Sequence, residues 1–227
     1  MDSRNWNSWG YISIIIGSVQ FIVLTSIAMV FYKGGTYIDS STSHYLFSYN
    51  YFSDLGRTIA HSGVQNMISF ILFTVTLALW GISHILFYIV FLKFFSNSKK
   101  LKRLSIAGST FGIITGVFYV GIAFTPVNIL GFIHDIFVGL SFGSILLCLI
   151  LYSLVIFQEK KYPNFYAKTL AISVIIIVTY YLTSFLVQTS NDVIRLLLAV
   201  IGQKVMIYTL LVCNILQGYG ALRQRAS

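Results

Sequence analysis

The sequence predicts an all-α polytopic membrane protein: a single domain over 1–227, built as a bundle of six transmembrane helices with both termini cytoplasmic. Three observations carry this. Six apolar runs, at about 11–32, 66–95, 104–124, 130–157, 167–188 and 193–217, each supply the ~20 helical residues needed to cross a ~30 Å hydrocarbon layer. Hydrophobic residues make up 57% of the chain and charged ones only 9%, well below the roughly one quarter of charged residues found in soluble domains. Those few charges also gather in the gaps between the runs.

The first run follows Arg4, but it is too long for the 7–15-residue apolar region of a signal peptide, and no small-residue cleavage site follows. It reads as a retained helix. The segment 33–65 is the largest polar interruption, with Tyr37, Tyr45, Phe47, Tyr49, Tyr51 and Phe52 set among Ser, Thr and Asn. That mixture suits an aromatic belt at headgroup level, so an outer loop or short re-entrant element is expected. A pair of strands here would be marginal in isolation.

The second run is led in by Ser53-Asp54-Leu55-Gly56-Arg57, then His61 and Gln65. With Ser53 as helix N-cap, Asp54, Arg57, His61 and Gln65 fall at spacings of three, four and four, which would stack them on one helical face. The bland alternative is a capped helix start with a surface ion pair. The third run carries Gly108, Gly112 and Gly116, and the fourth Gly139 and Gly143. Small residues at four-residue intervals permit close helix approach, so helices 3 and 4, turned at Thr125-Pro126, are expected to form the tightest pair.

Near the start of the fourth run stand His134 and Asp135. A carboxylate there meets the helix dipole favourably, yet the pair also shares its membrane level with Asp54, Arg57 and His61. The two groups could converge in one outward-facing pocket, and ionisable groups within membrane boundaries are functional candidates by default. The sixth run begins with Asp192 and Arg195, which can pair with each other, and holds Gln203-Lys204 at mid-membrane. A lysine at that depth costs about 2.5–3.5 kcal/mol to insert. It is expected to join an internal network, with Asp135 in reach if its stem snorkels, or else to contact water. Cys148 and Cys213 lie inside apolar runs and read as inert thiols.

Lysine and arginine decide the orientation. Arg4, Lys93, Lys99, Lys100, Lys102, Arg103, Lys160, Lys161, Lys168, Arg223 and Arg225 fall on one side, against Asp2 and Glu159; elsewhere four bases and four acids cancel. The formal charge of +9 is thus all cytoplasmic. These bases are scattered in short boundary loops, which fits anionic inner-leaflet lipids rather than a nucleic acid. Membrane lipids, with other membrane subunits as an alternative, are the expected partners, and the plasma membrane is the expected location.

The stretch Tyr51-Phe52-Ser53-Asp54-Leu55-Gly56-Arg57, the Phe124-Thr125-Pro126 turn after a glycine-rich helix, and His134 opening helix 4 resemble the prokaryotic membrane family known as domain of unknown function 998 (DUF998). They are more distantly similar to the Frag1/DRAM/Sfk1 proteins. The resemblance runs over roughly 10–215 and implies a six-helix fold in which Ser53, Asp54, Gly56 and His134 match the family pattern. It suggests an association with lipid handling and implies no known activity. Arg195 and Lys204 are not part of that pattern.

Three uses of such a chain are open. In the first, an outer pocket binds or modifies a lipid or other amphiphile: Ser53, Arg57, Gln65, Arg195 and Lys204 bind it, Arg57 through charge-assisted hydrogen bonds. Asp54, His61, His134 and Asp135 would then supply acid–base chemistry. A zinc-like variant on His61, His134 and Asp54 or Asp135 lacks any tight ligand spacing, and no metal or cofactor is expected. A haem reading through His84 fails because His84 and His134 lie at opposite depths. In the second use the chain is a non-catalytic subunit of a larger complex. In the third it is a small transporter, against which stands the absence of inverted repeats and broken helices.

Overall fold

The computed structural model describes residues 3–95, 98–159, 162–187 and 191–226. Asp2, Lys160, Lys161 and position 188 of the fifth run lie outside the described residues. Six helices form: α1 (Ser3–Phe31), α2 (Met67–Phe91), α3 (Lys99–Ala123), α4 (Val127–Gln158), α5 (Asn164–Leu186) and α6 (Asp192–Ala226). All six are long and apolar enough to cross a membrane, and the chain is a multi-pass membrane protein. Each prolines' position is consistent with its missing N–H: Pro126 and Pro163 stand immediately before α4 and α5, where no intrahelical donor is needed.

Each helix packs on its neighbours in sequence, and α6 returns to α1, closing a ring. The core is aromatic: Phe21, Trp80 and Tyr119 in one half, with the Trp80 and Tyr119 rings stacked at 4.4 Å, and Phe91, Phe95, Tyr152 and Tyr162 in the other. His84 is a fully satisfied core residue. Its Nδ1 is 2.9 Å from the Trp80 carbonyl oxygen and so donates, while Nε2 accepts from the Asn214 amide at 3.3 Å.

The glycine expectation is corrected. The closest backbone approach supported by glycine joins α2 to α3, where a Cβ on Gly81 would come within 2.5 Å of the Gly116 carbonyl oxygen and the reverse is equally true. Gly112 seats the Tyr88 ring, also of α2, while Gly108 seats Tyr152 of α4. Gly139 and Gly143 meet nothing within 4 Å. The interval on α3 was the right signal for close packing, but α4 faces that helix with tyrosine rather than with its own glycines.

We call the end of the bundle that carries residues 32–66 the loop end. This segment is ordered and dips into the ring. Gly34 and Gly35 turn it at φ of +84° and +79°, and a Cβ on either would collide with backbone at 2.1 and 2.2 Å. A short 3-10 turn, Phe52–Gly56, sits against α1, α2 and α4. The predicted aromatic belt divides: Tyr45 and Phe52 are buried, while Tyr37 and Phe47 are exposed. Of strand structure, the described residues hold a single antiparallel bridge between Ile59 and Gln65.

Candidate functional site

The predicted helical stripe from Asp54 to Gln65 does not form. After Gly56 the backbone becomes extended at Arg57 (φ −77°, ψ 137°), and α2 starts only at Met67. Asn66 competes with the helix: its side-chain amide donates to the carbonyl oxygens of Leu55 (3.3 Å) and Arg57 (3.0 Å), which a continuing helix would have bonded to its own N–H groups. Ser53 therefore caps nothing. Gln65 is exposed and pairs through its backbone with Ile59.

Asp54 nevertheless becomes a hub. Its Oδ2 accepts from the backbone N–H of Tyr51 at 2.8 Å and from the Asn50 amide at 3.2 Å, and its Oδ1 meets Nε2 of His61 at 3.0 Å. A carboxylate reaching back three residues to a free N–H holds the turn closed in the manner of a helix cap. Asn50 extends the hub, donating to the Gly35 carbonyl at 2.9 Å and accepting from the Leu46 N–H at 2.9 Å. Tyr32 lies beside it. Burial, and then the charge of Asp54, push its hydroxyl up to about 12, so it stays neutral while accepting from the His61 N–H at 3.3 Å.

Lys204 reaches this loop. Its ammonium donates to the Asn50 carbonyl oxygen and lies over the rings of Phe47, Phe52 and Tyr45 at 4.9, 5.3 and 5.5 Å. Gln203 next to it accepts from the Phe52 N–H at 3.0 Å. The expectation that Lys204 snorkels towards Asp135 is thus replaced by the converse: the loop descends to the lysine. Arg195 pairs with Asp192 and lines a separate groove between α5 and α6.

Between the loop, α1, α2, α3, α4 and α6 lies a cavity of about 480 Å³, within the range of small-molecule sites. Ser53, Asp54, Arg57, His61, His134 and Asp135 all line it; Gln65, Arg195 and Lys204 do not. Its rim holds Tyr37, Arg57, His61 and Asp135, and its inner part is walled by Phe73, Leu77, Trp80, Tyr119, Val138 and Phe142. From His134 to Phe142 the α4 wall spans about 12 Å of helix axis. His134 is buried, and because its Nδ1 is 2.7 Å from the Thr125 carbonyl oxygen it must donate there, leaving Nε2 as an acceptor.

The opening of α4 is shaped for this. Leu130 departs from helical geometry (φ −119°, ψ 38°). In the first turn Asn128 is tied to the loop, donating to the Thr58 hydroxyl at 2.9 Å and accepting from the Thr58 N–H at 3.0 Å.

No family model, curated protein or solved structure matches this chain. Among the described residues no group of three or more His, Cys, Asp or Glu is placed to hold a metal ion. Asn50, Trp80, Tyr119 and Phe142 were not foreseen as parts of the site. Apolar and amide residues at such positions carry no signal in a sequence already rich in both, whereas Gln203 could have been found from its place beside Lys204.

Proposed function

We propose that the chain binds an amphiphile, a membrane lipid or lipid-like molecule, in the loop-end cavity, with that end facing away from the cytoplasm. The observation that carries this reading is the polarity of one cavity: ionisable groups from two separate stretches at its rim and an aromatic and aliphatic interior. The Asp54–His61 contact favours a modifying role as a second reading, with Asp54 holding the imidazole so that Nδ1 is free to take a proton.

Lipid retained through purification, measured by mass spectrometry of an organic-solvent extract of the purified protein, tests the proposal. Val138→Trp fills the cavity wall and is expected to lose most of the bound lipid, while Val117→Trp, on an exposed face of α3, retains it. Equal retention by both variants would refute the cavity as the binding site.

A further inference from the structure

The charges around the cavity are unequal in how far they are satisfied. Asp54 is matched by the Tyr51 N–H, the Asn50 amide and His61, and its charge also reaches Lys204. Arg57 is different: Nε donates to the Ile59 carbonyl at 3.2 Å, and among the described residues the guanidinium has no ion-pair partner. Asp135 is exposed at the same rim, and among the described residues neither an ion pair nor a hydrogen bond engages its carboxylate. Among the described residues, a cation and an anion without ion-pair partners therefore line the same cavity and do not pair with each other.

A purely anionic headgroup held by Arg57 would bring its charge into the field of Asp135, and a purely cationic one would meet Arg57. Either would leave one rim charge unmatched while the ligand displaces its water, which is the costly arrangement. An amphiphile carrying both signs satisfies both. Guanidinium forks match phosphate oxygens bidentately, and a primary ammonium offers three N–H donors to a carboxylate, which a quaternary one cannot. Resting on the amphiphile reading above, we infer that the cavity takes a zwitterionic amphiphile of the phosphoethanolamine class. Arg57 holds the phosphate, Asp135 the primary ammonium, and the chain enters the aromatic interior past Val138 and Phe142.

Trp80, on the cavity wall, is the reporter. With Trp6→Phe and Trp9→Phe it becomes the sole tryptophan of the chain, and lipids brominated on the acyl chain quench it on entry. In detergent, brominated phosphatidylethanolamine is expected to quench at a concentration about tenfold lower than the phosphatidylglycerol or phosphatidylcholine analogues. Arg57→Gln weakens the phosphatidylethanolamine response, and Asp135→Asn, isosteric and on the exposed rim, abolishes the preference over phosphatidylglycerol. Asp135→Lys reverses it. Free phosphoethanolamine that displaces the brominated lipid would make the headgroup alone the ligand, whereas failure to displace it shows that the chain is required.

A preference for phosphatidylglycerol in the unmodified protein, or a preference indifferent to Asp135, would overturn the zwitterion assignment while leaving amphiphile binding in place. Absence of quenching by every brominated lipid would overturn both.

Discussion

Lys204 shows how one side chain can be placed by its surroundings rather than by its own depth. It is among the largest fully buried side chains in the protein, and its ammonium is enclosed by a backbone carbonyl and three aromatic rings. Lys204→Met keeps the volume of the stem but removes the charged donor to the Asn50 carbonyl oxygen, leaving it the Tyr45 hydroxyl at 3.0 Å, and takes the nearby charge from Asp54. The expected cost is about 1–3 kcal/mol, seen as a lower melting temperature in detergent and as faster proteolysis confined to 33–65. Unchanged proteolysis would mean that the loop is held without the lysine. The sequence marked Lys204 as unusual, because a mid-membrane charge needs an explanation, but it could not supply the partner. That partner is a main-chain oxygen 154 residues away, and a carbonyl group has no residue type by which to be recognised.

At the level of elements, the helices were legible because membrane thickness fixes their length and composition together, and each of the six observed helices overlaps its predicted run. What was misread was which faces meet. Gly112 and Gly116 turn to α2, and the α4 glycines turn to open space. The distinction is measurable. Gly81→Ala would push a methyl group against the Gly116 carbonyl and Gly116→Ala would do the reverse, each costing about 1–3 kcal/mol through overpacking. Gly139→Ala and Gly143→Ala have room and better helix propensity, so their melting temperatures should equal or exceed that of the unaltered protein. The loop failed as a helix for a different reason. A stripe of four polar residues satisfies helical spacing on paper, but Asn66 captures the carbonyls of Leu55 and Arg57, and Gly63 at φ +84° bends the chain back.

For the whole molecule, the asymmetry of charge predicts which end faces the cytoplasm. The end opposite the loop carries Lys93, Lys99, Lys100, Lys102 and Arg103 around the α2–α3 connection, whereas the loop end is nearly balanced. The positive-inside rule then puts Val64, half exposed in the loop, on the outside. Because Cys148 and Cys213 are buried, single introduced cysteines report cleanly. Val64→Cys should react with an impermeant maleimide on intact cells and Lys100→Cys only after permeabilisation; the opposite pattern would invert the topology. Of the cavity, the sequence showed the polar rim, since ionisable residues stand out against an apolar background. Its wall was invisible, because Trp80, Tyr119 and Phe142 differ in no local respect from the aromatic residues that merely fill the bundle.

The two anchors of the loop, Gln203 and Lys204, are separated from their partners by 151 and 154 residues. During synthesis the loop emerges after the first helix, and these two anchors do not exist until α6 has been made and inserted. A nascent chain stopped before α6 would have five helices in place and a loop lacking both of these anchors.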